Sequence, residues 1–134
     1  MSYVPDDDHY EEAASLRAAL RLFLRHSETI TRRHGLSPRH HELLLMIRAS
    51  EGEQSTVSEL VDLLQLTQST VTELVQRAED AGLLARRQSQ QDGRVVHLTL
   101  TEEGASRLEQ AVAELGPERE RLLALVRPAD AVGN

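Results

Sequence analysis

Ser69, Thr72, Glu73 and Gln76 recur at the three- and four-residue spacing that lines side chains along one helix face, with Thr70 and Arg77 at its edge. Hydroxyls, a carboxamide and a carboxylate in this arrangement form no local catalytic signature. They can, however, exchange hydrogen bonds with the edges of stacked bases. Gln can pair with adenine, and Glu can accept from the amino group of cytosine. Further along, Arg86 and Arg87 supply guanidiniums suited to phosphates, and Asp92-Gly93-Arg94 adds another beside a carboxylate. Asp92 is placed to orient Arg94 by a charge-assisted hydrogen bond, and a narrow minor groove attracts such a cation.

The elements around these residues follow from capping and periodicity. Thr56-Val57-Ser58-Glu59 is a capping box that opens a helix presenting Leu60, Leu63 and Leu64. After Gln65-Leu66, Thr67 is a second cap. Val71, Leu74, Val75 and Ala78 then form one apolar stripe opposite the polar face. Gly82 stops this helix. Ala85-Arg86-Arg87 begins a strand and Val95 to Leu100 forms another, in which Val96, Leu98 and Leu100 alternate with Val95, His97 and Thr99. Between them Gln88 to Arg94 is a polar hairpin tip with an Asp-Gly turn signal. Two helices, a tight turn and a two-stranded ribbon predict a winged helix-turn-helix over about 54–101.

The outer segments predict helices over about 10–34 and 102–127. The first carries Ala13, Leu16, Leu20, Leu22, Phe23, Leu24 and Ile30. Leu108, Ala111, Val112 and Leu115 follow a cap at Thr101, and a short last helix after Gly116-Pro117, from Glu118 to Val126, offers Leu122, Leu123, Leu125 and Val126. Ser37-Pro38 caps a helix whose Leu43, Leu44, Leu45, Met46 and Ile47 are apolar nearly all round, so deep burial is expected. One domain of 134 residues does not need so many apolar faces at its ends. A second copy of the chain would bury them, and a homodimer is expected.

Composition narrows the alternatives. The chain has no cysteine, which excludes disulfides and thiol-based redox sensing. Tyr3, Tyr10 and Phe23 are its only aromatic residues of the Phe, Tyr and Trp set, too few to stack single-stranded nucleic acid. Duplex DNA is the better partner. The net charge of -7 is unusual for such a partner, but five acidic residues lie between Asp6 and Glu12, far from the hairpin. All 15 basic residues are arginine, a bias attributable to genomic base composition rather than function. No apolar run could span a bilayer and the start is acidic, so a cytoplasmic location is expected. Neither a nucleophile elbow nor a paired-histidine zinc motif is present, and no catalysis or cofactor is expected. His34, His40 and His41 cluster in sequence, but the adjacent His41 and Glu42 diverge on a helix, so these histidines are read as surface or interface groups rather than metal ligands.

Leu36-Ser37-Pro38, Ser69-Thr70-Val71-Thr72-Glu73-Leu74-Val75, Ala81-Gly82-Leu83-Leu84, Asp92-Gly93-Arg94 and Leu98-Thr99-Leu100-Thr101-Glu102-Glu103-Gly104 occur in this order. Together they resemble the multiple-antibiotic-resistance regulator (MarR) family of winged-helix transcription factors, over about Leu36 to Leu115. The resemblance implies a single domain spanning 1–134, mainly α with a small β-wing, whose winged helix-turn-helix is flanked by N- and C-terminal dimerisation helices. It implies a homodimer, favours a repressor, and suggests a pseudo-palindromic duplex operator. It also implies release by a small anionic or phenolic effector bound between the dimer helices and the winged helix, where Tyr10, Arg25, His26, His40 and His41 are the candidate lining residues. The absence of cysteine removes the family's usual peroxide-sensing chemistry.

Three positions depart from the family pattern. Gln65 stands where a glycine is common in the helix-helix turn, Gly93 where the wing often has a second arginine, and Glu73 where a basic residue is frequent. The last two lower phosphate attraction and leave a second reading open, a winged-helix interaction module that has lost DNA binding. The final helix is also short.

Overall fold

The computed structural model describes residues 4–126. Tyr3, and residue 127 at the anticipated end of the C-terminal helices, lie outside the described residues, as does the side chain of Val126. Six α-helices and one antiparallel hairpin follow in chain order. Helix α1 spans Asp7–Arg33, α2 Pro38–Ala49, α3 Val57–Leu64 and α4 Gln68–Asp80. Strands β1, Leu84–Gln88, and β2, Val96–Leu100, precede α5, Glu102–Glu114, and α6, Gly116–Val126.

Each internal helix starts on the side chain that its sequence predicts. Ser37 Oγ accepts the His40 amide at 3.1 Å, with Pro38 at the first helical position. In the capping box of α3, the Glu59 amide donates to Thr56 Oγ1 at 3.1 Å while the Thr56 amide donates to Glu59 Oε1 at 2.8 Å. Thr67 and Thr101 cap α4 and α5 by accepting the Thr70 and Gly104 amides, without the reciprocal bond. Helix α1 begins earlier than expected because Asp6 caps it. Its first turn holds Asp7 and Asp8, where the helix dipole favours negative charge.

The core collects around α2. Leu36, Leu43, Leu44 and Ile47 meet Leu60, Val71, Val75, Leu83 and Leu98, all at 0–1% exposure. Each buried side chain of this size contributes about 1.5–3 kcal/mol relative to exposure. Leu45 and Met46 are only partly buried, so α2 is less uniformly enclosed than its composition suggests. Leu63 departs further. It is 47% exposed, because α3 turns Leu60 and Leu64, with Val57 and Val61 partly, toward the core instead. The alternation expected in β2 is also muted, with Leu98 buried and its neighbours intermediate. One reason is a partner that the hairpin pattern did not reveal. Ser55, itself buried, exchanges backbone hydrogen bonds with Leu98 at 3.2 and 2.8 Å, adding a third short edge to the ribbon.

Between α3 and α4 the chain turns at Gln65, whose φ of 56° and ψ of 44° lie in the left-handed region. A glycine would adopt this conformation freely. Here the Gln65 carboxamide donates to the Asp62 carbonyl at 2.6 Å, a local bond that offsets the strain.

Helix α4 ends in a tightly specified joint. The Leu83 amide reaches the Ala78 carbonyl and the Gly82 amide the Glu79 carbonyl, both at 2.9 Å, with Gly82 at φ 77°. This is the double bond pattern that terminates helices on a left-handed glycine. The same loop holds the start of α5. Thr101 Oγ1 donates to the Gly82 carbonyl at 2.6 Å, and the Thr101 amide to the Leu83 carbonyl at 3.1 Å. Gly104 lies so close that an added Cβ would collide with the Leu83 carbonyl oxygen.

Helices α5 and α6 are nearly continuous. Gly116-Pro117 bends the chain inside the first turn of α6 rather than opening the gap expected before Glu118. Polar contacts tie these helices to α1. Glu114 accepts from Arg33 and lies 2.7 Å from His34 Nε2, while Glu118 lies 3.4 Å from His26.

Two outcomes test this account. Gly104→Ala should cost about 1–3 kcal/mol by overpacking and lower the thermal midpoint by several degrees, read by circular dichroism. The second concerns Glu114, whose carboxyl is held below its ordinary pKa, first by the His34 hydrogen bond and then by Arg33. A depressed folded pKa gives stability that is present above the unfolded value and lost as pH falls through the folded one. Melting curves of the parent should therefore fall more steeply than those of Glu114→Gln as pH drops below the ordinary glutamate range. At neutral pH the parent should be the more stable of the two.

Candidate nucleic-acid interface

The buried stripe of α4 fixes what its other side presents. Val71, Val75 and Ala78 are fully enclosed and Leu74 is partly so. Gln68, Ser69, Thr72, Glu73, Gln76 and Arg77 consequently line an open groove along the outward face. All six are exposed, as is Thr70. Thirteen residues make a helix about 20 Å long, and with side chains it is about 10–12 Å across, matching a major groove about 12 Å wide.

The predicted residues of α4 thus share one surface, but they do not stand alone on it. Arg77 Nη2 lies 2.6 Å from Glu73 Oε1, one turn away. Gln76 donates to Asp80 at 3.0 Å, and Thr67 donates to Thr70 at 2.9 Å. Two neighbours were not singled out from sequence. Gln68 follows the cap of α4, and its exposure at the helix start is the signal that could have found it. Arg39, from the first turn of α2, lines a depression with Thr70, Glu73, Leu74 and Arg77. No spacing rule links residues on different helices, so Arg39 was out of reach.

The two strand arginines separate. Register pairs Arg86 with Leu98 and Arg87 with His97, on opposite faces of the ribbon. Arg86 Nε donates to both Glu79 oxygens, at 2.9 and 3.0 Å, and so clamps β1 to α4. Arg87 has no ion pair among the described residues and lies beside Gln54, Gln88 and His97. Of the two, Arg87 is the one whose guanidinium is left unpaired by a carboxylate among the described residues.

At the wing tip, Asp92 Oδ1 accepts the Arg94 amide at 3.0 Å and its Nε at 3.3 Å. Arg94 is 93% exposed, held at its base and free at its end. The tip is a seven-residue loop closed by the Ser89 amide on the Val95 carbonyl, at 2.9 Å. Gly93 does not take a positive φ, so the Asp-Gly pair forms no two-residue hairpin turn of the left-handed type.

The five effector candidates are not gathered into one cleft of the protomer. Tyr10 and Arg25 are separated by roughly 22 Å along α1. His26 faces a cleft of about 280 Å³ between α1 and α6, which Leu22, Phe23, Arg121 and Leu122 also line. His40 stands at the start of α2, its pKa lowered by burial and then by the charge of Arg77. His41 is buried, with its pKa lowered by burial and no hydrogen-bond partner for Nδ1 among the described residues. No group of three or more histidine, cysteine or acidic side chains placed to hold a metal occurs among the described residues, and no helix among them is long and apolar enough to cross a membrane.

Residues 34–95 match the sequence model of the MarR family. Over 75 residues the chain is 39% identical to the organic hydroperoxide resistance transcriptional regulator of Bacillus subtilis (strain 168), covering 56% of this chain and 49% of that protein. It thus spans about half the length of this curated relative. Among solved structures, AbsC, a MarR family transcriptional regulator from Streptomyces coelicolor, superposes with a TM-score of 0.78 at 22% identity, covering 98% of this chain and 90% of that one. Sco3205, a MarR family regulator of the same organism solved in complex with DNA, gives 0.75 at 19% identity, covering 99% and 84%. At these identities the structures establish a shared fold.

If the wing engages DNA, Arg94→Ala should weaken duplex binding at least tenfold, about 1.4 kcal/mol. The melting temperature should hardly change, since the side chain touches little else. Fluorescence anisotropy at matched salt measures the first quantity and differential scanning fluorimetry the second; equal affinities would remove Arg94 from the interface.

Proposed function

We propose that the chain is a member of the MarR family of winged-helix transcriptional regulators, which it resembles in sequence and fold, and that it represses transcription as a homodimer on a pseudo-palindromic duplex operator. The observation that carries this reading is the division of α4. One stripe is sealed into the core, and the opposite face offers only polar side chains to solvent. Ser69, Thr72, Glu73 and Gln76 read base edges in the major groove, with Thr70 and Arg77 at the margin. Arg87 anchors phosphate, Arg86 holds the strand against the helix, and Arg94 with Asp92 enters the minor groove.

Support for the homodimer comes from α1. Leu16, Leu20 and Leu24 recur at four-residue intervals and are 44%, 40% and 63% exposed in the isolated chain. An apolar stripe of this kind is stabilised by burial against a second copy, with the outer helices as the dimer body. Two recognition helices about one two-fold axis imply half-sites about one helical turn apart, roughly 34–36 Å.

Release by a small anionic or phenolic ligand completes the reading. The apolar walls of the cleft beside His26, with Arg121 on its lining, suit such a molecule. Although the curated relative is named for organic hydroperoxide resistance, no residue here is a cysteine, so the signal is not oxidation of a thiol.

Footprinting the full chain on the DNA flanking its own gene tests the proposal, with two variants to resolve the roles. Gln76→Ala should relax preference at one position per half-site, costing roughly 1–3 kcal/mol there. Arg87→Ala should weaken all sequences alike and reduce the salt dependence. No protected region, together with equal affinity for every duplex, would refute operator recognition.

A further inference from the structure

The groove along the outward face of α4 is lined by two formal charges, Glu73 and Arg77, and they are paired with each other at 2.6 Å. Both remain open to solvent, 63% and 70% exposed, so neither is committed to the core. The remaining side chains of the groove, Gln68, Ser69, Thr72 and Gln76, are neutral. This is not how a surface built for indiscriminate phosphate binding is arranged. A free arginine at position 77 would attract any duplex, because the phosphate backbone is the same for every sequence. Here a carboxylate one turn away already holds it, and Arg39 flanks the pair from α2.

Resting on the operator-binding reading, we infer that Glu73 is a specificity-determining residue that licenses Arg77, tying phosphate anchoring to the identity of one base pair. The chemistry lies in what each base offers the carboxylate in the major groove. Cytosine N4 and adenine N6 are donors, and Glu73 can accept from either while Arg77 bridges from its other oxygen to a phosphate. Guanine O6 and N7 and thymine O4 are acceptors. Opposite these the carboxylate faces lone pairs, no hydrogen bond forms, and the pair is pushed back from the duplex. A wrong base therefore costs two contacts, one to the base and one to the backbone. Repulsion against wrong sequences, rather than added attraction to the right one, produces the discrimination. The neighbouring pair shows the contrast. Glu79 is largely buried and receives both contacts from Arg86 Nε, so that pair braces the strand and reads nothing.

The test uses the full chain with Glu73→Gln, Arg77→Gln and the double variant. The probes are a fluorescein-labelled duplex of scrambled sequence and duplexes enriched by the parent protein from a random pool. Glu73→Gln should bind the scrambled duplex about three- to tenfold more tightly at low salt, with a steeper salt dependence. That gain should vanish in the double variant. On the enriched duplex, Glu73→Gln should lose roughly 5- to 150-fold of discrimination at one position per half-site, where the parent selects a donor-bearing base. A gain that persists without Arg77 would reduce Glu73 to a general repulsive charge and overturn the inference. So would an unchanged affinity for the scrambled duplex. Failure of the underlying reading looks different. If the parent enriches no sequence while Glu73→Gln acquires Arg77-dependent binding, the coupling stands and operator recognition falls. If neither protein binds DNA, both fall.

Discussion

The joint between α4 and α5 is the constraint on which the other elements depend. The buried stripe of α4 sets which side faces outward, and the joint fixes where that helix ends. Gly82 and Leu83 close its last turn and receive Thr101, and the missing side chain of Gly104 lets α5 press against the same backbone. Three functions meet in about four residues on each side of the contact. The helix ends, the ribbon begins at Leu84, and α5 starts on a cap whose hydroxyl also bonds across the joint. Because backbone groups make most of these bonds, the joint does not rely on long side chains that would lose entropy on ordering.

Much of this was legible in the sequence because it rests on local chemistry. Thr56 with Glu59, Ser37 with Pro38, Thr67 and Thr101 each predict a helix start, and each one caps in the structure. The stripe from Val71 to Ala78 predicts which face of α4 is buried, since helical periodicity is a one-dimensional property. Contacts between distant segments were hidden. The bonding of Ser55 to Leu98, the placing of Arg39 and Glu73 along one depression and the capture of Arg86 by Glu79 bring together residues whose spacing carries no signal. Leu63 failed for a related reason. Its position on α3 fits the apolar stripe, but α2 and α4 leave that edge uncovered.

Three of the arginines on the candidate DNA face share one arrangement. Arg77, Arg86 and Arg94 each have a carboxylate partner, in Glu73, Glu79 and Asp92. Their burial differs, and so do their consequences. The Glu79 carboxylate is shielded and stiffens the scaffold, whereas the exposed pairs can exchange partners at little cost because water screens them. A chain with net charge -7 can therefore present cations to DNA without a strongly basic surface.

Helix α4 is fastened at its C-terminal end by the joint, while the opposite end meets α3 through a single left-handed residue, Gln65. In the proposed DNA-bound role it would act as a lever with its pivot at Gly82. For a lever about 20 Å long, a tilt of only about 10° carries the far tip through roughly 3.4 Å, one base step along a strand. Angular play at the pivot and slippage of the reading frame on DNA are thus the same quantity. If α4 reads bases as proposed, the tolerance for misreading is set at Gly82, a residue outside the groove lining.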